Sequence, residues 1–345
     1  MKIILVANSI SGGGAEKQAY LIYKYLSKNH KVVLLIKNSS PEKKNWFIWN
    51  FENLIYFLKI FVLRFEINEA NYILSIMPIS HYAAIILKIL FKAKLIISIR
   101  NDLRYYKGAL ENIYSFKFSI LDYFVNSYVV QNYVAARLLK WKNVQKKIFV
   151  INNLLDIYKD DKKLSHFHER DGIVFIQRLD WQKDPLYMLE LIKRIDNRIK
   201  ISIYGEGKYL KFIKKNLFGF KNVIIYGKVQ SIQIKKAIQQ NLLGILTSFY
   251  EGMPNIIAEY ILNGCIPVST SNVYTDNLNK FKENNAFLRG IDACADAQNI
   301  NNYYFDLYLN KSKYKRIANL NYQALLDFHK DKLNYSDWND VFDDK

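Results

Sequence analysis

The chain has 345 residues, of which half are hydrophobic, and its formal net charge is +19. This length accommodates two domains of ordinary size, and the apolar content excludes an intrinsically disordered chain. Cys265 and Cys294 are the only cysteines, which excludes a disulfide framework and indicates a reducing compartment. The apolar run 2–7 is too short for the hydrophobic region of a signal peptide, so we expect a cytoplasmic protein.

The positive charge is concentrated in the first half of the chain. Residues 1–150 carry 22 Lys/Arg against 8 Asp/Glu, whereas residues 151–345 carry 28 against 23. This asymmetry indicates an anionic partner for the first half: anionic lipid head groups, a diphosphate-linked acceptor or nucleic acid. A compositional bias toward Lys, Ile, Asn and Tyr is the alternative, although it explains the asymmetry less well.

Short apolar strands alternate with longer helical stretches along the whole chain. This alternation is typical of parallel sheets covered by helices on both faces, and two such series predict two doubly wound α/β domains. A polar run around residues 152–170 separates the two series. The predicted strands lie near 2–7, 31–36, 72–76, 95–99, 127–131 and 147–151, then near 172–176, 200–204, 222–226, 243–247 and 266–270.

A glycine run follows the first predicted strand. Gly12, Gly13 and Gly14 would let backbone N–H groups approach a phosphate closely. The run is neither the Gly-x-Gly-x-x-Gly of a nicotinamide site nor the Gly-Lys-Ser/Thr of a P-loop.

The segment from Trp46 to Leu63 is the most membrane-like part of the chain, but polar residues interrupt it. It is too short and too polar for a transmembrane helix. Either it is a core-facing helix, or it is an interfacial helix that lies on a bilayer with Lys43, Lys44 and Arg64 beside an aromatic face.

Polar residues also follow the predicted strand 95–99. Arg100 would hold an acceptor phosphate, and Asp102 would bind a sugar hydroxyl. The alternative is a strand-end cap in which Asp102 pairs with Arg104.

Three features of the second half point to a nucleotide diphosphate. Arg178 and Lys183 follow a strand at the start of a helix, where fixed cations suit a diphosphate. Gly205 begins a Gly-x-Gly turn after the next strand, although this motif alone could be a bare turn. Glu251 and Glu259 stand eight positions apart, which a continuous helix would span in about 12 Å. This is about the reach from the sugar to the ribose of a nucleotide sugar, although two solvated acids on a surface helix remain the alternative. Pro254 is predicted as the first helical residue, and Gly264 as the stop.

These motifs together resemble the Glu-x7-Glu family of retaining glycosyltransferases with the GT-B fold. The residues that carry the resemblance are Ser11–Glu16, Ile176–Lys183, Ile203–Gly207 and Ser248–Glu259. It implies two Rossmann-like domains facing across a cleft, an acceptor-side domain 1–155 and a nucleotide-sugar domain 156–329. It also implies that a helix at about 330–345 packs back on the first domain.

The resemblance further implies the roles of individual residues. Arg178 and Lys183 would hold the donor diphosphate, Glu251 would contact the donor sugar, and Glu259 would contact the ribose. Arg100 stands where many relatives have His, and Gln177 stands where Gly is usual, so its side chain is expected to crowd the loop. The other donor-binding residues implied are Gly13, Gly14, Gly205, Gly252, Met253, Pro254 and Asn255.

The function expected from this resemblance is transfer of a sugar, with retention, from a nucleotide sugar, most simply a UDP-sugar. The acceptor would be a lipid-linked saccharide in bacterial surface-polysaccharide synthesis, such as lipopolysaccharide or capsule. The enzyme would lie peripherally on the inner face of the cell membrane. The five histidines show no metal-ligand spacing and no Asp-x-Asp follows a strand, so we expect no metal or other cofactor.

Two other classes of function stay open. A basic nucleic-acid-binding protein would explain the charge, but the chain has no recognisable reader motif. The second class is a GT-B-like carbohydrate-binding protein without activity. The presence of Glu251, Glu259, Arg178 and Lys183 argues against it.

Overall fold

The structure is a computed structural model in which the chain forms two compact units. Unit 1 comprises Met1–Asp156 and Lys332–Lys345, and unit 2 comprises Ile157–Asp331. The structure describes residues 1–10, 13–36, 58–60, 62, 67, 69–76, 78–100, 122–141, 146–155, 170–270, 288, 290, 292–330 and 337–342.

Unit 1 contains a six-stranded sheet in the order β2-β1-β3-β4-β5-β6, and every neighbouring pair is parallel. The inner strands are almost wholly buried because both faces of the sheet are covered, which accounts for their continuous apolar sequences. The strands are β1 (Lys2–Ala7), β2 (Lys31–Ile36), β3 (Tyr72–Ile76), β4 (Lys94–Ile99), β5 (Ser127–Val130) and β6 (Lys147–Val150).

Helices cover the two faces of this sheet. Helices α2 (Pro78–Phe91) and α3 (Tyr133–Trp141) bury Leu87 and Leu139 against one face. On the other face, α1 (Gly14–Leu26) packs beside the C-terminal segment 337–342.

The C-terminal segment 337–342 is part of the core of unit 1. Trp338 and Phe342 are both 2% exposed, and the Tyr72 hydroxyl donates a 2.9 Å hydrogen bond to the Phe342 carbonyl. The Tyr25 hydroxyl donates to Asp337 at 2.8 Å. Where the sequence predicts a helix crossing back at about 330–345, the described residues form a single 3₁₀ turn, Asn339–Val341.

Unit 2 contains a five-stranded parallel sheet in the order β11-β10-β7-β8-β9. Its core includes Phe175, Met188 and Tyr304, all buried. The strands are β7 (Ile173–Ile176), β8 (Ile201–Tyr204), β9 (Val223–Gly227), β10 (Leu243–Leu246) and β11 (Ile266–Ser269). The helices are α4 (Pro185–Ile192), α5 (Leu210–Asn216), α6 (Ser231–Gln240), α7 (Asn255–Leu262), α8 (Ala293–Leu309) and α9 (Lys311–Lys330).

The predicted pair of doubly wound α/β domains is confirmed, and each predicted strand lies within one residue of the observed one at either end. Pro254 corrects one detail, because its ψ of 111° is extended and makes it the N-cap residue of α7 rather than its first helical residue. Gly264, with φ 74°, follows the end of α7 as predicted.

Most of the predicted membrane-like segment 46–63 lies outside the described residues. Within it, residues 58–60 and 62 are helical, Ile60 is buried in the core of unit 1, and Leu58 and Val62 are 55% and 52% exposed. No described helix combines the length and the apolar character needed to cross a membrane.

Candidate active site

The loop after β7 holds two cations in different environments. Arg178 is 61% exposed, and among the described residues it contacts Gln182 Oε1 at 3.4 Å and Asp180 Oδ2 at 3.8 Å. Lys183 ends the 3₁₀ turn Trp181–Lys183 and is largely buried. The two predicted diphosphate ligands therefore share a loop, but Arg178 is open to solvent and Lys183 is already paired.

Lys183 forms an ion pair with Glu251 across the neighbouring ends of β7 and β10. The ammonium contacts Glu251 Oε1, and the side chains are only 15% and 10% exposed. Ser248 Oγ donates a 2.6 Å hydrogen bond to the same oxygen. Because both partners and the hydroxyl are withdrawn from water, this pair holds the Glu251 carboxylate in a fixed position.

Gln177 connects these loops rather than crowding them. Its side chain is buried, and Nε2 donates to the Lys183 carbonyl at 3.1 Å and to Thr247 Oγ1 at 2.9 Å. Its Oε1 accepts from the Thr247 N–H at 3.3 Å. The expectation that Gln177 crowds the loop is therefore wrong, because the amide ties the end of β7 to the end of β10.

The Gly-x-Gly turn after β8 lies directly against the Arg178 loop. A Cβ on Gly205 would meet the Gln177 carbonyl oxygen at 1.9 Å, and one on Gly207 would meet Leu179 backbone atoms at 2.5 Å. Both glycines also have positive φ, 136° and 155°. These positions therefore require glycine, since any side chain would push the two loops apart.

Glu251 lies on the loop before α7, and Glu259 lies within that helix. The eight steps between them are therefore not one helix, and the 12 Å helical span does not apply. The remaining predicted donor residues lead into the helix: Gly252, Met253 and Pro254 are buried, and Asn255, its first residue, is half-buried.

A second connection joins the Glu251 loop to the 3₁₀ turn. The Phe249 N–H donates to the Gln182 carbonyl at 3.0 Å, and Gln182 Nε2 donates to the Tyr250 carbonyl at 3.3 Å. The Trp181 and Phe249 rings lie 5.2 Å apart and are 61% and 49% exposed. The sequence prediction missed these aromatic residues, although both follow strand ends, where ligands of parallel sheets bind.

In unit 1, Gly13 is the N-cap of α1 and Gly14 is its first residue, at the end of the loop that follows β1 (Lys2–Ala7). Gly13 provides no side-chain cap, and its carbonyl accepts from the Lys17 N–H at 3.1 Å. Gly12 lies outside the described residues. The described part of this loop therefore presents backbone groups, and its role in donor binding stays a prediction.

Arg100 is buried at the end of β4. It donates to Ser98 Oγ at 2.8 Å and to the Ile151 carbonyl at 3.1 Å, and its guanidinium stacks 5.3 Å from the Trp338 ring. Burial lowers the pKa of Arg100 to about 9, and Nη2 has no hydrogen-bond partner among the described residues. Its predicted acceptor role stays a prediction, and Asp102 and Arg104 lie outside the described residues.

Within the described ranges, no three His, Cys, Asp or Glu side chains are grouped so that they could hold a metal ion. The requirement for a metal is untested by this observation, and metal independence stays a prediction.

A family model matches a large part of unit 2, and a curated relative covers most of the chain. Residues 156–322 match the model of the family described as "Glycosyl transferases group 1". A Campylobacter jejuni protein is 25% identical over an alignment of 299 residues, and the match covers 79% of this chain and 79% of that protein. It is named GalNAc-α-(1→4)-GalNAc-α-(1→3)-diNAcBac-PP-undecaprenol α-1,4-N-acetyl-D-galactosaminyltransferase.

Solved structures resemble nearly the whole chain. Anabaena Alr3699/HepE in complex with UDP and glucose is 14% identical with a TM-score of 0.68, over 96% of this chain and 97% of that one. Sucrose-phosphate synthase from Thermosynechococcus elongatus is 12% identical with a TM-score of 0.70, over 94% of each chain. The chain has the GT-B fold. At these identities the structural likeness establishes the fold alone.

Proposed function

We propose that this protein is a retaining glycosyltransferase that moves a sugar from a UDP-sugar to a lipid-linked saccharide, without a metal ion. The observation that carries the proposal is the Lys183–Glu251 pair, fixed by Ser248 beside the exposed Arg178 at the carboxyl edge of the unit 2 sheet. The match of residues 156–322 to a glycosyltransferase family model supports the same assignment.

The charges of the site suit the departure of a nucleoside diphosphate. As the bond from the anomeric carbon to the diphosphate breaks, negative charge develops on the leaving oxygen. Arg178 has room to contact that phosphate, since its guanidinium is mostly exposed. The positive end of the helix dipole at the start of α7 would add a favourable interaction. Both interactions strengthen in the transition state, and hence they lower the barrier.

Glu251 would orient the donor sugar by accepting a hydrogen bond from a hydroxyl group. Its Oε1 is occupied by Lys183 and Ser248, which directs the other carboxylate oxygen to the ligand. Glu259, half-buried on α7, would bind the ribose. For transfer with retention, the leaving phosphate would take the proton of the acceptor hydroxyl as the new bond forms on the same face.

The lipid-linked acceptor rests on two observations. Residues 1–150 carry 14 more Lys/Arg than Asp/Glu, which suits an anionic membrane surface or a diphosphate. The name of the Campylobacter relative places its acceptor on PP-undecaprenol. A peripheral position on the inner face of the membrane would bring the protein to such a substrate.

Release of free nucleotide from a panel of nucleotide sugars, with lipid-linked saccharides as acceptors, tests this proposal. We expect turnover of a UDP-sugar that persists in EDTA, and retention in the anomeric ¹H NMR spectrum of the product. Glu251→Gln should abolish transfer. Glu190→Gln is the matched control, since Glu190 is an exposed helix residue paired with Lys193 and Arg194.

Two results would contradict parts of the proposal. Full activity of a folded Glu251→Gln protein would remove Glu251 from the site. Inactivation by EDTA that manganese or magnesium reverses would refute metal independence.

For the membrane, co-sedimentation with vesicles containing anionic lipid should fall as salt rises, because the attraction fades beyond a Debye length of about 10 Å at 0.1 M salt. Lack of binding at low salt would favour a soluble acceptor.

A further inference from the structure

Three aromatic residues, two of them exposed and one half-buried, form a cluster near the Lys183–Glu251 pair. We name Trp181, Phe249 and Tyr250 the aromatic platform. The Trp181 and Phe249 rings lie 5.2 Å apart at 35°, and the Trp181 and Tyr250 rings lie 6.1 Å apart at 58°. Trp181 is 61% and Phe249 49% exposed, so the platform presents ring surface to solvent.

The platform is held in place by backbone interactions. Trp181 is the first residue of the 3₁₀ turn, and its carbonyl accepts a 3.0 Å hydrogen bond from the Asp184 N–H. The Phe249 N–H and the Tyr250 carbonyl are both bonded to Gln182. Rings on a fixed backbone lose little conformational freedom when a ligand binds, which makes them effective binding groups.

The position of the platform connects it to the reacting groups. Lys183 follows Trp181 by two residues, and Glu251 directly follows Tyr250. The platform and the pair that is proposed to orient the transferred sugar are therefore carried by the same two segments, 181–183 and 249–251. The ring faces offer apolar contact, whereas Arg178 and Glu251 offer charge.

We propose that the aromatic platform binds the saccharide acceptor by stacking against the apolar C–H face of a pyranose ring. This inference rests on the proposed function. A diphosphate needs cations and N–H groups, which the rings do not supply, and the donor sugar is proposed to bind Glu251, which leaves the rings for the acceptor. An uncharged pyranose has a C–H face that matches ring surface, and a hydroxyl rim that matches the polar groups around it.

Saturation-transfer NMR tests the platform without turnover. The probes are methyl α-glycosides of glucose, galactose, N-acetylglucosamine and N-acetylgalactosamine, with UDP present. We expect saturation of ring C–H protons in at least one probe, and loss of that signal in Trp181→Ala and Phe249→Ala. Phe218→Ala is the matched control, because Phe218 is 90% exposed and lies at the far end of α5.

Kinetics then assign the platform to the acceptor rather than the donor. Trp181→Ala should raise KM for the saccharide acceptor about tenfold, the equivalent of losing about 1.4 kcal/mol, while Trp181→Phe recovers part of this loss. The Kd of UDP should not change in either variant. An unchanged NMR signal in the alanine variants, or no signal from any probe, would overturn the proposal.

Other outcomes separate this inference from the proposed function. If the alanine variants weaken UDP binding as much as saccharide binding, the platform stacks the nucleobase and the inference is wrong. If the wild-type protein binds no UDP at all, the proposed function fails. The saccharide signal and its loss in the variants would still decide whether the platform binds a sugar.

Discussion

Replacing Gln177 by Gly, the residue usual in the family that this chain resembles, should destabilise unit 2. The substitution removes the hydrogen bonds to Lys183 and Thr247 and leaves the Thr247 N–H buried without its partner. An unsatisfied buried group costs about 1–3 kcal/mol, and each lost bond costs about 1 kcal/mol. We therefore expect the free energy of unfolding to fall by about 3 kcal/mol or more.

For a unit of this size, 1 kcal/mol corresponds to about 2–4 °C in Tm, so the calorimetric transition of unit 2 should shift down by about 6–12 °C. Gln177→Leu separates the loss of hydrogen bonds from the loss of side-chain volume, because Leu keeps most of the volume but makes no hydrogen bond. Tm should be highest for the wild type, lower for Gln177→Leu and lowest for Gln177→Gly. A Gly variant with unchanged or higher Tm would refute the view that Gln177 fastens the two strand ends.

Three further predictions concern single residues. Gly205→Ala should destabilise unit 2 far more than Gly219→Ala, since both have positive φ but only Gly205 would place its Cβ against backbone; equal losses in urea unfolding would contradict the close approach. Lys183→Ala should weaken UDP binding by about 1.5–3 kcal/mol in calorimetry and leave uridine binding unchanged; an equal loss for both would show that Lys183 does not bind phosphate. Burial lowers the pKa of His81 to about 3 in the folded protein, whereas in the unfolded chain it is near 6.5. The unfolded chain therefore binds the proton at a higher pH, and the free energy of unfolding should fall as pH drops from about 6.5 toward 3. His81→Gln should flatten this dependence in urea unfolding series, and an unchanged slope would disprove the assignment.

The strands were predictable because each is a short apolar run bounded by polar residues. β10 is an example, since all four residues from Leu243 to Leu246 are buried. The positions of Arg178, Gly205 and Glu251 followed from the same pattern, because ligands bind beyond the carboxyl ends of parallel strands. The local sequence therefore predicted that the site residues follow the carboxyl end of each strand.

Contacts between distant parts of the chain were not predictable, because they depend on the order of strands in the sheet. Lys183 meets Glu251 only because β7 and β10 are neighbours. Gln177 joins the same two strands, and nothing in its own sequence context indicates a partner 70 residues away. Arg100 was predicted at a strand end, but its burial under Trp338 depends on a segment more than 230 residues later.

The C-terminal segment 337–342 has a consequence for biosynthesis. Trp338, Val341 and Phe342 are buried on one face of the unit 1 sheet, and fully burying such a side chain contributes about 1.5–3 kcal/mol. At about 5–20 residues per second, they leave the ribosome about 10–40 seconds after β6. During that interval unit 1 exposes an apolar face. Unit 2 has its whole core once residue 330 has emerged, before the C-terminal segment 337–342, so the second unit is the first that can finish folding. Protease treatment of ribosome-bound chains that carry residues 1–330 followed by a linker long enough to fill the exit tunnel should accordingly cut unit 1 and spare unit 2.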